Sequence, residues 1–190
     1  MTKFVLHGGF SRKENDSNRK FYEEVVKDIV DGGVVLLVYF ASREEDTSEV
    51  FTEQVQKFQS AISDRKLNFI HASQENFLSE VKQADVIYIH GGSTNKLLTI
   101  LRNYPDLQPL LEGKTVAGSS AGAYAVAKYG ASHSEKEMRE GLGLAPLRVV
   151  CHYESPELPP YTPSVENLKN TAQDLELVIL KDCEWGVFWF

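Results

Sequence analysis

At 190 residues and 21.4 kDa, with 42% hydrophobic and 25% charged side chains, the chain has the length of one domain and a globular composition, which excludes disorder and fibres. Twenty Lys and Arg against 27 Asp and Glu give a formal charge of −7 and a pI near 5.3. An acidic surface without a basic patch repels phosphate backbones, so no nucleic-acid partner is expected.

The longest apolar run, Val34 to Ala41, falls far short of the roughly 20 residues that span a bilayer. Met1-Thr2-Lys3-Phe4 leads straight into a strand-like segment rather than a signal-peptide core. Two cysteines, Cys151 and Cys183, suit a reducing compartment rather than a disulfide framework. These features predict a single soluble, cytoplasmic domain over 1–190, with no membrane partner.

Phe4 to His7 reads as a strand that stops at Gly8-Gly9. Phe21, Val25, Val26, Ile29 and Val30 then fall at helical spacing before Gly32-Gly33. Val34 to Ala41 is a continuous β-branched and aromatic run, as expected of a strand buried on both faces. Val50, Phe51, Val55, Phe58 and Ile62 form a second helical stripe, and Leu67 to His71 a third strand. A short helix over Phe77 to Val81, a strand over Val86 to Ile89, a helix through Leu97 to Leu101 disturbed by Pro105, and a short strand Thr115-Val116-Ala117 follow. After about residue 130 the pattern loosens. Arg148 to His152 and Leu175 to Leu180 read as further strands. Between them the proline-rich stretch Pro156 to Pro163 is loop, and Thr162-Pro163 opens a helix running toward Asp174. Strict β-α alternation with buried strands predicts a doubly wound α/β sandwich, a mostly parallel sheet with helices on both faces.

In such sheets ligands bind at the carboxyl ends of the strands. Three segments arrive there with one grammar: Leu6-His7-Gly8-Gly9, Ile89-His90-Gly91-Gly92 and Val116-Ala117-Gly118-Ser119-Ser120-Ala121-Gly122. The last contains G-x-S-x-G centred on Ser120, a pattern that chance supplies in about one chain in fifteen of this length. Context adds to it, because the pattern follows a strand and opens the small-residue stretch Ala121 to Ala127, the setting of a nucleophile elbow. The turn leaves no room for side chains at the flanking glycines and puts the Ala121 amide beside the hydroxyl as an oxyanion donor. Read blandly, Ser120 is a helix N-cap in a tight turn.

A serine nucleophile needs a base. Of the five histidines, His152 ends a strand and lies downstream of Ser120, the Ser-before-His order of elbow hydrolases; the bland alternative is a partly buried structural histidine. His7 and His90, also at strand ends, either line the pocket or hydrogen-bond loop backbone.

Gly118-Ser119-Ser120-Ala121-Gly122-Ala123 resembles the elbow of the peptidase E (dipeptidase E) and cyanophycinase family of serine peptidases, which have the class I glutamine-amidotransferase-like fold. His90-Gly91-Gly92-Ser93-Thr94-Asn95-Lys96-Leu97-Leu98 is similar to that family's Gly-Gly-x-Thr-x-x-Leu-Leu segment. Gly141-Leu142-Gly143-Leu144-Ala145-Pro146 with Cys151-His152-Tyr153 is similar to its Gly-Leu-Gly-Leu segment and histidine strand. The resemblance implies Ser120 as nucleophile, His152 as general base and the Gly92 and Ala121 amides as the oxyanion hole. Gly91, His90 and His7 would belong to the pocket. It also implies a small peptide or amide substrate and no cofactor.

Three features depart from the family pattern. Where the family has an Asp after the elbow helix, Ala131 to Glu140 offers only Glu135, Glu137 and Glu140, of which Glu135 is the expected acid. Glu154 and an acid-free Ser-His pair are the alternatives. The segment after His152 holds Glu154 and Glu157 but no Arg or Lys, so an aspartyl side chain would be repelled there; Arg12, Lys13 and Arg43 are loop cations elsewhere. The chain ends at Trp185-Gly186-Val187-Phe188-Trp189-Phe190, where family members usually continue through a hairpin. So apolar an end is expected to pack as an edge strand or to make an oligomer contact, with a homodimer as the candidate assembly.

Two rival functions remain. A non-catalytic small-ligand-binding protein would keep the elbow without a working triad, and a carboxylate on the far nitrogen of His152 separates it from an enzyme. A metal site on His7, His90 and His152 is the other, although no H-E-x-x-H spacing supports it, and for a flavodoxin-like nucleotide site the Gly-Gly pairs match neither a P-loop nor a G-x-G-x-x-G fingerprint.

Overall fold

The computed structural model describes residues 1–43, 46–62, 65–131, 138–159 and 162–190. In chain order the first half comprises β1 (Lys3–His7), α1 (Asp16–Val25), β2 (Val34–Val38), α2 (Ser48–Ala61), β3 (Asn68–His71), α3 (Phe77–Gln83), β4 (Val86–Ile89) and α4 (Thr94–Leu101). After a 3-10 turn at Gln108–Leu111 come β5 (Thr115–Ser119), α5 (Ala121–Val126), β6 (Ala127–Gly130), β7 (Arg139–Glu140), β8 (Ala145–Val150), α6 (Thr162–Asn170), β9 (Glu176–Ile179) and β10 (Trp185–Trp189).

The main sheet has the order β10-β1-β5-β4-β2-β3, parallel except for β10, which pairs antiparallel with β1 along its edge. The chain steps outward through β2 to β3 and then back through β4 to β5. Because crossovers are right-handed, this reversal moves the connecting helices from one face to the other. Period-two alternation follows suit. Val5, Val35, Leu37 and Tyr88 pack with Phe21, Tyr22, Val25 and Phe58 of α1 and α2. Phe4, Leu6, Leu36 and Ile87 pack with Phe77, Val81, Leu97 and Leu101 of α3 and α4. The doubly wound α/β architecture read from the sequence is therefore the observed one.

After α5 the chain does not extend this sheet. It builds a second one, β7-β6-β8-β9, whose strands β6, β8 and β9 are parallel. All six residues of α5 (Ala121, Gly122, Ala123, Tyr124, Ala125 and Val126) are buried, and α5 packs against both β5 and β8. Small side chains are what close packing between two sheets admits, so the alanine-rich stretch that reads as elbow helix is also the spacer between layers. On the far face of the second sheet Val165 and Leu168 of α6 meet Val150. The buried Arg148 of β8 donates to the carbonyls of Leu168, Lys169, Thr171 and Leu175 at 2.8–3.0 Å. One guanidinium thus closes the carboxyl end of α6 and fixes the turn into β9. No helix among the described residues is long and apolar enough to cross a membrane.

Candidate active site

The strand order explains why the three Gly-containing segments converge. β5 lies between β1 and β4, so Ser119, His7 and Ile89 end neighbouring strands on the same edge of the sheet. Ser120 leaves β5 with φ 51° and ψ −106°, a conformation that side chains rarely adopt outside strained functional turns. Close approach requires the flanking glycines. A Cβ on Gly118 would lie 2.6 Å from the Gly122 carbonyl carbon, and one on Gly122 would lie 2.2 Å from the Ile89 oxygen. The Ser120 amide donates to the His7 carbonyl at 2.9 Å.

His152 follows β8 and meets the serine from the second sheet. Its Nε2 lies 2.9 Å from Ser120 Oγ, and its Nδ1 lies 2.7 Å from Asp182 Oδ1. The Tyr124 hydroxyl, one helical turn after Ser120, accepts from the Cys151 amide at 2.9 Å and donates to the Cys151 carbonyl at 3.2 Å. This clamps the residue before the histidine to the helix after the serine. The Phe10 ring sits edge-on to His152 with centroids 5.1 Å apart. The other carboxylate oxygen of Asp182 accepts from Ser155 Oγ at 2.6 Å. Among the described residues, positive-φ non-glycine conformations fall at Ser120 and His152, at Phe10, at Cys183 beside Asp182 and at Glu154, with Ala172 the one remote case.

The carboxylate that meets His152 is one the sequence does not single out. Glu135, the expected acid, lies outside the described residues, and the carboxylate on His152 Nδ1 is Asp182. Parallel pairing of β8 and β9, with Val150 opposite Ile179, brings the exits of both strands to one edge. An acid just past the predicted strand Leu175 to Leu180 was the available signal.

The cleft over Ser120 holds about 490 Å³. His90, Gly91, Gly92, Ser119 and His152 line it with Ser120, as do Phe10, Ser11, Arg12, Lys13 and Glu53. Ala121, buried, follows Ser120 directly. His7 does not line the cleft. It is 0% exposed, with Nε2 2.8 Å from Asn18 Oδ1 and Nδ1 accepting from the Gly9 amide at 3.0 Å. Burial lowers its pKa to about 4, so it is neutral. His90 donates from Nδ1 to the Gly91 carbonyl at 2.8 Å, and burial lowers its pKa too. His7 and His152 therefore each spend both ring nitrogens on other partners, which removes the three-histidine metal reading. Among the described residues no three His, Cys, Asp or Glu side chains group as a metal site.

The acids of the segment after His152 are not left unpaired. Glu154 is paired with Lys181 at 3.0 Å, and Glu157 with Lys13. Arg12 on the cleft wall is paired with Glu53 at 2.8 Å. Cations from distant segments offset the local acids, so the repulsion expected there does not follow. Glu53, on α2, was not anticipated at the site.

Fold and site together give an α/β protein with a serine at a positive-φ turn beside a histidine–carboxylate pair. Residues 4–186 match the family model of peptidase family S51, and the chain belongs to that family. It has no significant match among curated protein sequences. Among solved structures, a peptidase from an acI-B1 Actinobacterium superposes with a TM-score of 0.71 at 19% identity, covering 99% of this chain and 83% of that one. A candidate peptidase E protein from Listeria monocytogenes EGD-e superposes with a TM-score of 0.66 at 16% identity, covering 99% and 97%. At these identities the likeness is one of fold.

Proposed function

We propose that the protein hydrolyses a small peptide or amide through an acyl-enzyme, with Ser120 as nucleophile, His152 as general base and Asp182 as the acid that holds His152. The observation that carries this reading is the unbroken chain Ser120 Oγ, His152 Nε2, His152 Nδ1, Asp182 Oδ1, with links of 2.9 and 2.7 Å. It also favours an enzyme over a binding protein with an idle elbow, because a carboxylate occupies the far nitrogen of the histidine.

In the proposed reaction Ser120 Oγ bonds to the substrate carbonyl carbon while its proton passes to His152 Nε2. The resulting oxyanion accepts from the amides of Gly92 and Ala121. Collapse breaks the C–N bond, and His152 returns the proton to the departing amine. Water then attacks the ester with His152 again as base, releasing the acid and Ser120. Asp182 keeps the proton of neutral His152 on Nδ1 and offsets the imidazolium charge when it forms. The cleft carries charges of both signs, which fits a short peptide with free termini better than a long, uniformly charged chain.

The test is labelling by a small uncharged fluorophosphonate, read by intact mass, with peptide hydrolysis in parallel. We expect one adduct on the wild type, none on Ser120→Ala and a much slower one on His152→Ala. Labelling that survives Ser120→Ala would overturn the assignment. For assembly we propose a homodimer through the outer edge of β10, beside Trp189 (53% exposed) and Phe190 (42% exposed); a monomer by light scattering at all concentrations would remove it. A cytoplasmic, reducing setting is proposed from cysteine usage alone, and a location for the tagged chain in an oxidising compartment would refute it.

A further inference from the structure

The exit of β1 touches every part of the site without lining the cleft. The His7 carbonyl accepts from the Ser120 amide at 2.9 Å, the Gly8 carbonyl from the His152 amide at 2.9 Å, and the Gly9 carbonyl from the Cys183 amide at 3.0 Å. Cys183 follows Asp182, and the Gly8 amide donates to the next carbonyl, Glu184, at 2.8 Å. Three successive carbonyls thus accept from the amides of Ser120, of His152 and of the residue after Asp182, which come from three different strand ends. A Cβ on Gly9 would lie 1.9 Å from His152 Cε1, so the Gly9 backbone also bounds the imidazole directly.

What holds this peptide is the buried His7 side chain. Asn18 spends its Nδ2 on the carbonyls of Phe10 and Lys13, at 2.9 and 2.7 Å, which leaves Oδ1 to face His7 Nε2 at 2.8 Å. Nε2 must then donate, Nδ1 must accept, and the Gly9 amide supplies the proton at 3.0 Å. The sense of every bond is set, from the start of α1 to the glycine against His152.

We propose that His7 is a positioning residue, which acts through the Gly9 peptide to set the Ser120–His152–Asp182 geometry. The inference rests on the serine-peptidase reading above. It does not make His7 a proton carrier, since the ring is fully buried and both nitrogens are engaged. Its contribution is alignment, and a displacement of about 1 Å costs on the order of 100-fold in rate.

Two substitutions separate alignment from mere structure. His7→Asn keeps an acceptor near the Nδ1 position for the Gly9 amide and gives up the donor to Asn18. His7→Gln does the reverse. We expect His7→Asn to retain kcat within about three-fold and His7→Gln to lose about 10- to 100-fold in kcat with KM unchanged. Both should lower the melting temperature to a similar degree. Equal loss in the two variants, or loss that tracks melting temperature, would overturn the proposal. Should His7→Gln fail to fold, Asn18→Ala, which leaves the bond from the Gly9 amide to Nδ1 in place, should keep kcat within about three-fold as His7→Asn does; a loss of about 10-fold or more there overturns the proposal as well.

Nitrogen-15 NMR of the histidines gives an arm independent of turnover. The His152 titration and its Nδ1 proton should match wild type in His7→Asn and change in His7→Gln. If wild-type protein neither labels nor cleaves peptides, the peptidase reading fails, and this arm alone still decides whether His7 governs His152. An unchanged His152 in His7→Gln would end the proposal whatever the activity.

Discussion

Ser120 and the His152–Asp182 pair reach the same cleft from regions built on different terms. The serine stands on a sheet whose inner strands β1, β5, β4 and β2 are buried on both faces, at a turn where backbone atoms leave no space for a Cβ on either flanking glycine. The histidine and the aspartate leave a smaller sheet on loops, and hydrogen bonds to Tyr124, Ser155 and the β1 exit hold them in place. Packing therefore positions Ser120, while a polar network positions His152 and Asp182. The first arrangement is sensitive to volume, and the second to hydrogen-bond identity.

Exchanging a polar group in the second region gives the sharpest test. Asp182→Asn keeps the shape but favours the wrong histidine tautomer, and should cut the hydrolysis rate by on the order of 10³–10⁴ while leaving stability nearly unchanged. Glu135→Gln should leave the rate within about two-fold by the same assay, and the opposite ranking would return the acid to Glu135.

The complementary change in the first region is Gly122→Ala, whose methyl meets the Ile89 carbonyl at 2.2 Å. Neither backbone can yield, so denaturant unfolding should show about 3 kcal/mol of lost stability. A fully stable variant would break the contrast between the two regions.

A pH series probes the polar side from beneath. Folding lowers the His7 pKa from 6.5 to about 4 through burial. Between those values the unfolded chain binds a proton that the folded chain does not. Stability from this group is therefore complete above pH 6.5 and falls by about 3 kcal/mol as pH drops toward 4. The denaturant midpoint should decline through that window, and His7→Asn should flatten the decline. The smallest effect belongs to the cleft mouth. The Arg12–Glu53 pair is about half-exposed, so Arg12→Ala should change stability by less than about 1 kcal/mol. KM for charged peptides should shift in a salt-dependent way.

How much of this is legible in the chain depends on whether the signal is local. Alternating apolar runs announced the doubly wound layers, because burial on both faces leaves its mark in every strand. The tight turn at Ser120 announced itself for a similar reason: Gly118, Ser120 and Gly122 answer to atoms a few residues away or on the adjacent strand. His152 was readable from its place at a strand end. The contact of Asp182 with His152, 30 residues away in sequence, was not, since it depends on β8 and β9 pairing in parallel. For His7 the sequence left the pocket and a bond to loop backbone open, and the structure has the second. A histidine at a strand end beside glycines suits a pocket equally well, and only Asn18 and the Gly9 amide turn it inward.

The charges at the cleft follow the same division. Glu154 and Glu157 look repulsive in sequence because their cations, Lys181 and Lys13, lie elsewhere in the chain. Sequence alone determined the layers, the tight turn at Ser120 and the histidine that faces it, since short-range sterics and burial periodicity encode them. The second sheet, the identity of the carboxylate on His152 and the balance of charge around the cleft were decided only by tertiary structure. They depend on which distant segments meet, and in this chain those meetings are set by strand pairing and by the buried β1 exit.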